Sequence, residues 1–206
     1  VSGVGPRATP AIHEGRVYTF GGEGLLNCLD LKTGEKLWQR NFTKELEIKP
    51  PMWGYSSSPA VFGNSVVVFP QGKNGSSVVA CDLQSGKTNW QFGDELKSYS
   101  SPQIVKLAEV EQILIFAGQG LASLDDTGNL LWQVDWKLGE TIPTVQPQLV
   151  GDNQVLLGAG DMGAKLIEID FRDDKWTTRE VWASKKLKPD FNDFVVHDGF
   201  VYGFDG

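Results

Sequence analysis

The side chains in this chain that could do chemistry are few and scattered. Among 206 residues there are two histidines, His13 and His197, and two cysteines, Cys28 and Cys81. A general base needs its partner within hydrogen-bond reach, and zinc needs His and Cys at short, fixed spacings. No such spacing occurs here. His13 (in HEGRVY) and His197 (in HDGFVY) occupy the same place in two similar hexapeptides, just ahead of a turn, which assigns them to repeated local structure. There is no Gly-x-Ser-x-Gly elbow for a nucleophile and no Gly-x-x-x-x-Gly-Lys loop for phosphate. The Gly-rich stretches Gly21 to Gly24, Gly118 to Gly120 and Gly158 to Gly163 have no helix after them, so a helix N-terminus for phosphate is not expected. Cys28 stands two residues before its Asp and Cys81 one residue before, and strand alternation points them to opposite faces, against a disulfide.

The carboxylates show the clearest pattern, and it is structural. Asp30, Asp82 and Asp125 each open a cassette that runs Asp, turn, Gly and then Trp: DLKTGEKLW to Trp38, DLQSGKTNW to Trp90 and DDTGNLLW to Trp132. A degraded copy runs from Asp170 to Trp182. An acid recurring once per repeat, followed by Thr-Gly or Ser-Gly, is what a turn demands: the carboxylate accepts turn N–H groups and Gly supplies the left-handed position. Asp30, Gly34, Asp82, Gly86 and Gly128 are therefore read as turn formers, and Trp38, Trp90, Trp132 and Trp182 as rings wedged between neighbouring repeats.

The elements that position these residues follow from the spacing. Pro10, Pro59, Pro102 and Pro147 each open a strand, at intervals of 49, 43 and 45 residues. Each repeat parses into four short strand-like runs, and a strand-rich period of about 40–50 residues reads as propeller blades. The expected fold is all-β, a β-propeller of four-stranded antiparallel blades spanning about 7–41, 57–93, 101–134 and 146–183, with half a blade at 193–206. The whole of 1–206 forms a single partial ring. Pairs such as Glu14-Gly15, Gly63-Asn64, Asp152-Asn153 and Asp198-Gly199 make the first hairpin turn of each unit. The fourth unit lacks the Thr-Gly turn, so its outer hairpin is expected to be a variant. A partial ring implies either a segment of a longer chain or self-association of copies through the uncovered blade faces.

A net charge of −7 and a pI near 4.9 argue against nucleic-acid binding. The basic residues Lys185, Lys186 and Lys188 read as a solvated loop. No apolar run approaches the length of a membrane helix. Long connections at 41–57, 134–146 and 184–192 carry Trp53, Tyr55, Trp136 and Phe191, which form the candidate interaction face.

The cassette resembles the Ala-x-Asp-x-x-Thr-Gly-x-x-x-Trp docking motif of the pyrroloquinoline-quinone-type (quinoprotein-like) β-propeller repeat family. Ala80 to Trp90 fits with Ser85 in place of Thr, the first copy has Cys28 for the Ala, and the third is one residue short between Asp125 and Thr127. The phrases Gly5 to Ile12 and Val196 to Gly206 resemble uncharacterised exported bacterial members. The family includes quinone-dependent alcohol and sugar dehydrogenases and the propeller lipoprotein of the outer-membrane barrel assembly machinery, so membership alone does not choose between chemistry and binding. The alcohol dehydrogenase branch implies a vicinal Cys-Cys disulfide over the quinone, a Trp beneath it, calcium held by Glu, Asn and Asp, and an Asp base. This sequence has no Cys-Cys pair, and none of those residues carries over.

The expected function is a non-catalytic binding or assembly scaffold, periplasmic or otherwise extracytoplasmic by resemblance, with a protein partner or a second copy as ligand and no cofactor. One alternative is a quinone-dependent dehydrogenase using pyrroloquinoline quinone and calcium, its site completed by further blades. Another is the extracytoplasmic sensor domain of a membrane kinase.

Overall fold

The computed structural model describes residues 5–205. Val1–Val4 and Gly206, the ends of the 1–206 span and of the half blade at 193–206, lie outside the described residues. The chain is all-β, built from antiparallel meanders. The first sheet contains β1 (Ala11–His13), β2 (Arg16–Phe20), β3 (Leu25–Asp30) and β4 (Lys36–Asn41), paired in chain order. A one-turn helix, α1 (Phe42–Glu45), follows. The second sheet contains β5 (Ala60–Phe62), β6 (Ser65–Val68), β7 (Val78–Asp82) and β8 (Thr88–Phe92). The third contains β9 (Gln103–Leu107), β10 (Val110–Ala117), β11 (Gly120–Leu124) and β12 (Leu130–Asp135). The fourth contains β13 (Gln148–Val150), β14 (Gln154–Gly158), β15 (Ala164–Arg172) and β16 (Lys175–Ser184). A two-stranded sheet of β17 (Val195–His197) and β18 (Phe200–Tyr202) completes the set.

The chain divides into two compact units. One comprises residues up to Leu96 together with the turn 126–128; its core is Tyr18, Phe20, Leu26, Cys28, Phe42, Tyr55, Val66, Val68, Val79, Cys81 and Leu83. The other comprises 97–125 and 129 onward; its main core is built on Leu114, Phe116, Trp132, Trp136, Val155, Leu157 and Ile167. A smaller cluster there joins Leu156 and Leu166 to Phe194, with Val196 and Val201 packed against it.

One irregularity repeats in every four-stranded sheet. The third and fourth strands slip register just after the residue facing the cassette Trp: Cys28 faces Trp38, Ala80 faces Trp90, Ser123 faces Trp132 and Leu166 faces Trp182. A bulge at that point bends the outer strand and re-aims its side chains.

The fourth outer hairpin takes the variant form through shortening of its turn and lengthening of its strands. Asp173 and Asp174 sit at φ 50° and 57° between Arg172 and Lys175, a two-residue turn with both central residues left-handed. The third inner hairpin uses Ala108 and Glu109 at φ 48° and 62°, a turn the sequence hides because neither residue is a customary turn former.

The two cysteines form no disulfide, as strand alternation led us to expect. Cys28 and Cys81 are both fully buried free thiols in the same core cluster. They lie on different sheets of one unit, so faces opposite in each sheet's own frame turn toward a shared layer.

Candidate functional site

The cassette turns engage their carboxylates through local hydrogen bonds. Asp30 Oδ1 accepts from Lys32 N at 3.0 Å, Thr33 N at 2.8 Å and Thr33 Oγ1 at 3.1 Å. Asp82 Oδ1 accepts from Gln84 N at 3.2 Å, Ser85 N at 2.8 Å and Ser85 Oγ at 2.7 Å, and its Oδ2 accepts from Asn64 Nδ2 at 2.9 Å. Asp125 accepts from Asn129 N at 2.8 Å and Asn129 Nδ2 at 3.0 Å. Bonds from Thr33 hold the Asp30 carboxyl below the usual carboxylate range, and those from Ser85 do the same for Asp82. A carboxylate so held stays ionised and is a poor proton carrier.

The cassette glycines have a second task. A Cβ on Gly86 would lie 2.8 Å from Trp38 Cε3, and one on Gly128 would lie 2.7 Å from Trp90 Cδ2. The rings rest on bare backbone, and their N–H groups find carbonyls there: Trp38 Nε1 donates to Leu83 O at 3.1 Å and Trp90 Nε1 to Asp126 O at 2.8 Å. Trp132 Nε1 instead donates to Gln112 Oε1 at 2.6 Å within its own sheet. Gly34 has nothing within 4 Å of its Cβ position. Leu31 beside it is 46% exposed, whereas its counterpart Leu83 is 4% exposed. Trp182 keeps the register of the other cassette rings but is 37% exposed. The neighbouring Trp176, outside the cassette spacing, packs on the core of its unit and against Phe171, with ring centroids 4.6 Å apart.

The candidate interaction face must be corrected. Tyr55 is 1% exposed and packs against Phe20, with its hydroxyl pushed up to about 12 by burial. Trp136 is 6% exposed, stacked on Phe116 and overlain by Lys165 Nζ at 5.2 Å. Both are anchors that pin long connections to the core, a role set by tertiary packing and invisible in composition. Trp53 and Phe191 do face outward, at 56% and 82%, and Met52 beside Trp53 is 74% exposed. They belong to different units.

The remaining candidates are occupied by structure. His13 and His197 flank the left-handed turns at Glu14-Gly15 and Asp198-Gly199. Arg40 Nη1 donates to Cys81 Sγ at 3.3 Å and to Thr88 Oγ1 at 2.8 Å. Burial nevertheless dominates and pushes the Cys81 thiol up to about 11, so it is not a nucleophile at neutral pH. In the Gly-rich stretches, a Cβ on Gly120 would meet Val134 O and one on Gly163 would meet Ser184 O, so small residues there admit the adjoining outer strand. The short 3₁₀ turn Gly160–Met162 lies inside the third stretch. Asn41, the first residue of a glycosylation sequon, caps α1 through its bond from Lys44 N at 3.1 Å.

A quinone with calcium would need a carboxylate and amide donor set. Among the described residues no three His, Cys, Asp or Glu side chains gather to hold a metal ion, and the two thiols are not vicinal. No helix of the described residues is long and apolar enough to cross a membrane.

The chain is 26% identical, over 95% of its length, to a quinoprotein ethanol dehydrogenase of Pseudomonas putida, of which it covers 33%. It is 27% identical, over 62% of its length, to a quinoprotein ethanol dehydrogenase of Pseudomonas aeruginosa, of which it covers 22%. The chain thus spans a third or less of these curated relatives. Among solved structures it superposes on BamB from Moraxella catarrhalis with a TM-score of 0.68 at 19% identity, covering 95% of this chain and 54% of that one. A quinohemoprotein alcohol dehydrogenase from Comamonas testosteroni gives a TM-score of 0.56 at 14% identity, covering 97% of this chain and 38% of that one. These likenesses show the fold, sheets of the β-propeller type. A profile of the family described as "Outer membrane protein assembly factor BamB" matches residues 2–205, and the chain belongs to that family of pyrroloquinoline-quinone-type propeller repeats.

Proposed function

We propose that this chain is a non-catalytic binding or assembly scaffold, working outside the cytoplasm by holding loops rigidly on stacked sheets. The observation that carries the reading is that its recurrent carboxylates are consumed by their own turns, while apolar side chains such as Trp53 and Phe191 stand in solvent. The family's description as an outer membrane protein assembly factor supports a protein partner. Self-association is the second form this binding takes, since Leu31 and Trp182 leave uncovered apolar surface. The test is a photo-crosslinking residue placed at Trp53 or Phe191 in the source organism. Discrete protein adducts are expected, with none from the same residue placed at the buried Trp136. Failure to exceed that control at both sites contradicts the reading.

Quinoprotein dehydrogenase relatives favour a second reading, a quinone-dependent alcohol dehydrogenase whose site other parts of the protein complete. Alcohol-dependent dye reduction by the protein supplied with pyrroloquinoline quinone and calcium would support it.

A further inference from the structure

The third and fourth sheets enclose a groove of about 490 Å³, lined by residues of two inner hairpins and of β15. Ala108 and Glu109 contribute one turn, and Gly151, Asp152 and Asn153 the other. All of it lies within one compact unit, at the ends of the sheets that carry the inner hairpin turns. Phe191 belongs to the connection that leaves β16 from the other end.

Its composition is two-part. Leu149, Ile169 and Phe171 form an apolar floor, and Phe171 packs against its cross-strand partner Trp176, ring centroids 4.6 Å apart. Three carboxylates, Glu109, Asp152 and Asp170, line it against one ammonium, Lys106. Lys106 Nζ is held by Glu109 at 2.5 Å, and Asp170 Oδ2 meets Arg172 Nε at 2.8 Å. Asp152 makes no ion pair among the described residues. A floor that accepts methylenes beneath an acidic rim suits a side chain with an apolar stem and a cationic head. A volume well above that of one such side chain leaves room for the backbone on either side of it.

We propose that this groove is a docking site for an extended protein segment carrying Arg or Lys, whose stem lies on Leu149 and Phe171 and whose head meets Asp152. Charge complementarity selects the occupant, and the chain's net charge of −7 draws basic segments toward it.

The test uses the ¹⁵N-labelled 206-residue chain titrated with a capped Gly-Arg-Gly-Arg-Gly peptide at physiological salt. Amide shifts confined to residues 106–109, 149–153 and 169–171 are expected. Asp152→Asn should weaken binding about tenfold, the loss of one charge-assisted contact. Asp161→Asn, which removes an equal charge from a carboxylate paired with Lys188 elsewhere, should leave binding unchanged. Shifts spread over the surface, no shifts, or equal weakening by both variants would overturn the proposal. Binding of spermidine at the same residues with equal affinity would overturn the assignment to a protein segment. A phenylalanine peptide binding as well as the arginine one would overturn the role of the acidic rim.

Discussion

Asp30 and Asp82 give the turns a measurable acid response. Hydrogen bonds from turn N–H and hydroxyl groups depress both carboxyl groups in the folded chain. The stability they add is present above the unfolded carboxyl's range and is lost as pH falls through the lower, folded value. The thermal midpoint should therefore fall between about pH 4 and pH 2, and Asp82→Asn should shallow that limb. An identical acid limb in the variant would show that the carboxylate bonds contribute nothing. The glycines permit a sharper comparison. Gly34 and Gly86 share left-handed backbones, at φ 73° and 71°, but only Gly86 carries a tryptophan ring on its Cα. Gly34→Ala should cost about 1–2 kcal/mol of backbone strain, and Gly86→Ala about 1–3 kcal/mol more for the displaced Trp38 ring. Equal denaturant midpoints would remove the ring contact from the account. The turn role of these residues was legible because Asp and Gly at that spacing have a local mechanism. The burial of Tyr55 and Trp136 was not, because nothing in the loop itself says which aromatic turns inward.

Outer strands and hairpins differ in how firmly their tryptophans are held. Trp90 is buried and bonded to Asp126 O, whereas Trp182 is only partly covered at the same register. Trp90→Ala should destabilise by about 3–5 kcal/mol and Trp182→Ala by about 1 kcal/mol. Comparable losses in thermal unfolding would mean that register, and not coverage, sets the contribution. The fourth outer hairpin holds two aspartates where Asn-Gly is preferred. Replacing Asp173-Asp174 with Asn-Gly should add about 0.5–1 kcal/mol, read from the denaturant midpoint; a loss would show that the acidic pair is needed in place. The sequence marks hairpins through Gly and Asn, so the Ala108-Glu109 turn, and with it one wall of the groove, went unseen. The tighter turn at 173–174 was hidden for a related reason: the missing Thr-Gly announced a change of turn but not its direction.

For the whole molecule, repeat spacing specified an all-β chain of meanders because each repeat must bury its sheet faces on neighbours. Function was less legible. The same repeats occur in proteins named as quinoprotein ethanol dehydrogenases and in a family described as an outer membrane protein assembly factor, so the repeat does not choose between chemistry and binding. The scaffold we propose displays surfaces and needs no quinone. Titration calorimetry with pyrroloquinoline quinone, with and without calcium, tests it most directly. No heat beyond dilution is expected under either condition, and tight, calcium-dependent binding of one quinone per chain would contradict the scaffold reading.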